Sequence, residues 1–139
     1  MSKRSQLVLD SSILVAILTL EPGNEIYDHA INAAEQVLVG APTLVETAMV
    51  LTNRLGHERA MSDLLSFLQR TNCETIAFTG THFLEAASAF EKFGKGRHPA
   101  GLNMGDCNSY ATAKLARATL LYKGIDFALT DLPPLTPPA

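Results

Sequence analysis

Apolar residues fall along this chain in two rhythms. Short uninterrupted runs at positions 6–9, 37–39 and 119–122 carry Val, Leu and Tyr and have the character of buried strands. A weaker alternation at 73–78 adds a fourth strand. Between these runs the apolar positions recur every three or four residues, the spacing of an amphipathic helix. Helices are expected over 13–20, 24–35, 43–55, 58–70, 79 or 81 to 93, and 105–117. In the second of these, Ile26, Tyr27, Ala30, Ile31 and Ala34 share a face. The fourth turns Met61, Leu64, Leu65 and Leu68 inward, and the fifth Phe83, Ala86, Ala87 and Phe90.

The breaks between elements are readable too. Ser11 and Ser12 are good caps for the first helix, and Thr43 with Glu46 three places later has the form of a capping box. Gly56 stops the third helix, and Thr79 or Thr81 opens the fifth. The segment LPPLTPPA ends the chain in an extended form, because its prolines cannot continue a helix. Strands alternating with helices predict an α/β fold, a short parallel sheet sandwiched between helices. One domain is expected over 1–132, followed by a proline-rich tail at 133–139.

Composition narrows the class. The chain has 139 residues, 47% apolar and 18% charged, enough for one real core. A net charge of −3 announces no general affinity for nucleic acid, although a local basic loop can still attract phosphate. The N-terminal stretch starts basic and turns apolar. Asp10 interrupts it, and the apolar part that follows is too short for a spanning helix, so no membrane anchor is expected. Two cysteines, Cys73 and Cys107, make neither a disulfide framework nor a zinc site, and a cytoplasmic location is expected. No glycine pattern for binding nucleotide phosphates is present.

The candidate chemistry lies in acids at element boundaries: Asp10, Glu46, Asp106, and Asp126 or Asp131. Each has a plain structural role open to it. Asp10 can cap a helix, Glu46 can complete its capping box, and Asp106 can complement a helix dipole. Parallel strands ending at one edge would nevertheless gather them. Clustered carboxylates repel unless a cation intervenes, and hard oxygen donors suit Mg²⁺ or Mn²⁺. Phosphodiester hydrolysis is the chemistry that fits such a cluster. Ahead of Asp106, residues 94–103 form a loop with Lys95, Arg97 and His98. Of these, Arg97 is the best candidate for phosphate, since a guanidinium can bind it bidentately. Tyr110 reads as core by its spacing with Cys107 and Lys114.

Four segments, LVLDSSILVAIL, APTLVETAMVL, GKGRHPAGLNMGDCNSYATAK and LLYKGIDFALTD, resemble the PIN-domain ribonucleases in order and spacing. More closely, they resemble the VapC toxins of bacterial type II toxin–antitoxin systems. The resemblance covers nearly the whole chain, and its third segment is the most specific. It implies an α/β/α sandwich and a Mg²⁺- or Mn²⁺-dependent endoribonuclease. By this resemblance Asp10, Glu46, Asp106 and Asp126 are the catalytic acids, with Asp10 and Asp106 holding the metal. Ser12, Arg97 and Lys123 would meet the RNA. Many relatives read Gly-Asp-Asp-Phe where this chain has Gly124-Ile125-Asp126-Phe127, which favours Asp126 as the fourth acid and keeps Asp131 as its substitute. Asn108 and Ser109 stand where apolar residues are more usual.

The resemblance further implies a cognate antitoxin lying over the active-site groove, with an arginine reaching the acids. The apolar residues of the helices at 24–35 and 43–70 exceed the needs of one small core, which suggests a groove for that segment and a homodimer face. Two rival readings remain: a catalytically silent PIN-like module that binds RNA or protein, and a small phosphatase using Asp10 as nucleophile. The second is disfavoured because such chemistry wants Asp-x-Asp, and position 12 is Ser.

Overall fold

The computed structural model describes residues 5–133. The expected tail beyond Pro133 and the first four residues lie outside that range. Four strands form one parallel sheet: β1 (Gln6–Leu9), β2 (Gln36–Gly40), β3 (Glu74–Ile76) and β4 (Thr119–Leu121), in the order β3-β2-β1-β4. Around them lie α1 (Ser11–Leu18), α2 (Asn24–Ala33), α3 (Ala41–Leu55), α4 (His57–Arg70), α5 (Gly80–Phe93) and α6 (Met104–Ala116). A 3₁₀ turn, Asp126–Leu129, follows β4.

β1 is the pivot. It pairs with β2 through Gln6↔Gln36 and Val8↔Leu38, and with β4 through Leu7↔Thr119 and Leu9↔Leu121. The period-2 alternation then sorts side chains into two cores. Val8, Leu38 and Leu120 face α5 and α6, where they meet Ala89, Tyr110 and Ala111. Leu9, Val37, Val39 and Leu121 face the other way, onto Ile13, Ile17, Ile31 and Phe67. Both faces are thus covered, as an all-parallel sheet requires. α6 approaches β2 closely because Gly40 has no side chain; a methyl there would stand 2.7 Å from Thr112 Oγ1.

Several local expectations change in the fold. Asp10, not Ser11 or Ser12, caps α1: its backbone is extended and its side chain accepts the Ser12 N–H. The capping box of Thr43 and Glu46 does not form, because α3 already starts at Ala41, with Pro42 in its first turn. Pro suits that position, since the first N–H groups of a helix have no intrahelical partner. Thr43 is instead a buried side chain inside the helix. Thr79 does open α5, in a capping box with His82.

The buried stripes of α4 and α5 are rotated from the expected ones. α4 buries Ala60, Leu64 and Phe67, and leaves Leu65 57% exposed. α5 buries Ala86 and Ala89, whereas Phe83 is 62% exposed and Ala87 also faces outward. Small residues win the inner face of α5 because the helix packs against the alanine-rich side of α6. The large aromatics are left outside. Tyr110 is 1% exposed and belongs to the core, as its spacing predicts.

Candidate active site

Parallel topology gathers the acids. Each strand of a parallel sheet ends at the same edge, and loops there carry side chains into one crevice. Asp10 follows β1 directly, and α3 starts directly after β2 and presents Glu46 from its second turn. Asp126 lies in the turn beyond β4. α6 precedes β4, so it must start at that same edge in order to finish where β4 begins. Its first turn carries Asp106.

Asp10 is the best-anchored member. It is 4% exposed, yet among the described residues no lysine, arginine or histidine is ion-paired with it. Hydroxyl and amide groups hold it instead. Ser12 donates to Oδ2 from its backbone N–H at 3.1 Å and from its hydroxyl at 2.6 Å. The Ser109 hydroxyl donates to Oδ1 at 2.6 Å. The position of Asp10 at the start of α1 adds the favourable end of a helix dipole. A buried carboxylate survives without a cation only when donors replace its lost water in this way.

Glu46 is held loosely by comparison. Its Oε1 is buried and has no hydrogen-bond partner. Burial raises its pKa, the Ser11 hydroxyl partly offsets this, and the Asp10 charge raises it further. The carboxylate lies against the backbone of α6. A methyl at Gly105 would stand 2.5 Å from Oε2 and 2.7 Å from Oε1. Gly105 therefore keeps open the space that Glu46 occupies.

Asp106 caps its own helix. Its Oδ2 accepts the Asn103 N–H at 3.1 Å, and Asn103 returns the bond to the Asp106 N–H at 2.9 Å. The helix-capping role and membership of the cluster coexist in one residue. Burial pushes the Asp106 carboxyl up to about 6; the Asn103 bond opposes this, and the charges of Asp10, Asp126 and Glu46 add to it. Four acids of one sign thus sense one another at the sheet edge.

Asp131 is partnered differently. Its carboxylate accepts from the Tyr110 hydroxyl and, at 3.0 Å, from Lys114 Nζ, which also lies 3.6 Å from Glu85. Burial alone would raise its pKa, but the Tyr110 and Lys114 bonds hold it below the usual carboxylate range. Asp131 ties the end of the domain to α6. Asp126 is the acid of this pair whose charge reaches Asp106.

The basic residues separate as well. Lys123 Nζ is ion-paired with Glu21 at 2.6 Å, and its backbone N–H donates to the Ser12 hydroxyl at 3.1 Å. Arg97 is exposed and lies over the ring of Phe90, 5.8 Å from its centroid. His98 is structural: Nδ1 accepts the Ala100 N–H at 3.0 Å and the ring meets Phe93 edge-on. Burial pushes the Cys73 thiol up to about 12 and the Cys107 thiol up to about 11, so neither is a nucleophile at neutral pH.

In the sequence Thr43 has only the form of a helix cap, Gly105 only that of a helix start, and Ser109 no role. Thr43 and Ser109 could have been found by spacing: Thr43 is three residues before Glu46, and Ser109 three after Asp106, so each shares its acid's helix face.

The cluster suits a divalent cation. Its donors are hard carboxylate oxygens, and the orphaned Glu46 Oε1 lies among them. Among the described residues no three such donors already stand close enough to enclose an ion. Mg²⁺ keeps several waters and takes only one or two carboxylates, so it needs no such enclosure.

The raised Asp106 pKa has a definite sign in stability. Between the ordinary 3.8 and about 6 the folded chain holds a proton that the unfolded chain has lost, so stability falls as pH rises through that window. In EDTA, thermal unfolding of the wild type is therefore expected to shift to lower temperature from pH 4.5 to 7. Asp106→Asn should flatten that part of the profile and match or exceed the wild-type midpoint at pH 7. A wild type and variant with parallel profiles would contradict this.

The PIN domain family matches residues 7–132 of the chain. The ribonuclease VapC30 of Mycobacterium tuberculosis is 40% identical over 126 residues, covering 91% of this chain and 95% of the relative. The ribonuclease VapC of Mycolicibacterium smegmatis is likewise 40% identical, covering 91% and 97%. Among solved structures, Mycobacterium tuberculosis VapC20, described as a sarcin–ricin-loop-cleaving toxin, superposes with a TM-score of 0.75 at 16% identity, over 94% of this chain and 99% of that one. VapBC2 of Rickettsia felis, solved on a fragment of promoter DNA, gives 0.70 at 17% identity, over 88% and 90%. The structural likenesses show the fold; the family match and the close relatives show descent, and the chain belongs to the PIN-domain family, on its VapC branch.

Proposed function

We infer that this chain is an endoribonuclease that acts as the toxin of a toxin–antitoxin pair. The observation that carries the reading is the meeting of Asp10, Glu46, Asp106 and Asp126 at one sheet edge, in a chain 40% identical to VapC ribonucleases. The reading of a silent binding module fits poorly, since all four acids, Asp10, Glu46, Asp106 and Asp126, are present.

Asp10 and Asp106 would hold Mg²⁺ or Mn²⁺, which when bound lowers the pKa of water and offsets charge on the phosphoryl group. The protein's part is to place the groups around that point. Asp10 presents a carboxylate whose two oxygens are already oriented by Ser12 and Ser109. Glu46, whose carboxyl burial makes more basic, would take the proton of an attacking water. Asp126 completes the negative wall. Arg97 offers an exposed guanidinium to an RNA phosphate. Lys123 can exchange Glu21 for a phosphate at little cost, because its ammonium is at the surface. Ser12 commits its proton to Asp10 and keeps one oxygen lone pair for an RNA hydroxyl.

The partners follow from the same surfaces. A cognate antitoxin would answer the acids with an arginine, displacing the metal and leaving the cluster neutralised. Two apolar clefts adjoin at Met104 and Asn108. One, of about 700 Å³, is lined by Val45, Met49 and Val50; the other, of about 340 Å³, by Phe78, Phe83 and Phe90. Val45, Met49, Phe83 and Met104 are all more than half exposed. That continuous apolar face is the best candidate for a homodimer contact, because single apolar residues are ordinary on a surface and contiguous patches are not. Among the described residues no helix is long and apolar enough to cross a membrane; the proposed site of action is the cytoplasm.

Three measurements test this reading. With purified chain, RNA and Mn²⁺, cleavage should occur and stop with EDTA, and Asp106→Asn or Asp126→Asn should reduce kcat by roughly a hundredfold or more, since removing a group that acts on the transition state costs on this order. Asp131→Asn should stay within a few-fold of wild type while unfolding earlier; the reverse ranking would make Asp131 the fourth acid. Gly105→Ala should displace the Glu46 carboxylate and lower kcat with little change in unfolding, because a flexible side-chain end yields rather than the backbone. Sedimentation should find a dimer that Met49→Glu converts to monomer; an unchanged dimer would place the contact elsewhere.

A further inference from the structure

We propose that Ser109, backed by Thr43, is a positioning residue that holds the Asp10 carboxylate in the orientation in which it receives the divalent cation. The inference rests on the cation reading given above and extends it to two side chains outside the acid set.

The hydrogen-bond directions follow from a count of protons. Ser109 has one hydroxyl hydrogen, and the bond to Asp10 Oδ1 at 2.6 Å uses it, because an ionised carboxylate can only accept. Thr43 Oγ1 lies 3.3 Å from Ser109 Oγ, so at that contact Thr43 must be the donor. The result is a one-way chain of hydroxyls, Thr43 to Ser109 to Asp10, that joins α3, α6 and the end of β1. All three side chains are at most 4% exposed, so water does not compete for these bonds. Thr47, one turn along, directs its own hydroxyl to the Thr43 carbonyl and leaves the chain undisturbed.

The two helices that supply these hydroxyls are the two that supply acids. Thr43 shares a face of α3 with Glu46, and Ser109 shares a face of α6 with Asp106. Locking Ser109 onto Asp10, and Thr43 onto Ser109, therefore fixes the roll of each helix relative to β1. It also divides the Asp10 carboxylate: Ser12 engages Oδ2 and Ser109 engages Oδ1. Oδ2 accepts both Ser12 bonds and Oδ1 only the Ser109 bond, so the lone pair left for an ion is on Oδ1, and rotation of the group is blocked from both sides. A ligand pre-oriented in this way binds its ion without first losing that freedom.

The test is the thermal unfolding of metal-free chain against added Mn²⁺, read as the concentration giving half the maximal stabilisation, each variant referred to its own metal-free midpoint. Ser109→Ala is expected to raise that concentration about tenfold or more, the usual effect of removing a group that orients a metal ligand. Thr43→Val, which keeps the shape and removes the hydroxyl, should raise it by a smaller factor, and Thr43→Ser should not. The double variant Ser109→Ala with Thr43→Val should match Ser109→Ala alone, because Thr43 acts only through Ser109. A Ser109→Ala midpoint within twofold of wild type overturns the proposal, and a double variant clearly weaker than Ser109→Ala overturns the order of the chain. Thr43→Val reads the same chain if Ser109→Ala does not fold. A wild type that Mn²⁺ fails to stabilise would overturn the cation reading itself, a result distinct from a failure of Ser109 alone.

Discussion

A buried carboxylate held, among the described residues, by neutral donors is the constraint on which this structure turns. Asp10 stands at the end of the central strand, 4% exposed, with only hydroxyl and amide donors around it. Desolvating such a group is costly unless each oxygen finds a donor. Those donors come from Ser12 on α1 and Ser109 on α6, with Thr43 on α3 behind it. Three helices are thereby bound to one residue, and the same three helices carry or flank the remaining acids. The architecture satisfies Asp10 with neutral groups and leaves its charge available.

That choice explains the uneven treatment of the other acids. Asp106 is half-satisfied by its capping bond, and Glu46 keeps one oxygen with no partner at all. Asp131, by contrast, is fully occupied by Tyr110 and Lys114, and it serves stability. Burial, with the nearby acid charges added, raises the Asp106 pKa, and its ionisation lowers the stability of the metal-free fold. A protein tolerates such a cost where the charge is used.

The surface tells a compatible story. α5 turns Phe83 and Phe90 outward and α3 turns Val45 and Met49 outward, around two clefts that meet at Met104. Toward α6 they present small side chains, Ala86 and Ala89 from α5 and Thr43 from α3, while Gly40 lets α6 approach the sheet. Close packing beneath and apolar bulk above are two results of one arrangement.

The strand and helix order was legible from residue types alone, because buried strands and amphipathic helices differ in period. So were Asp10, Glu46 and Asp106, since each sits at an element boundary and motif. Asp126 is preferred to Asp131 on its motif alone, and only the fold shows Tyr110 and Lys114 engaging Asp131. What tertiary structure decided is which face of each helix is buried and which hydroxyl reaches which acid. Phe83 outward and Ala89 inward follow from how near α6 lies, a distance no local pattern contains. Ser109 and Asp10 are 99 residues apart in the chain. Their bond exists because a parallel sheet returns α6 to the edge where β1 ends. Local sequence specifies periods and caps; contacts between remote segments are set by packing.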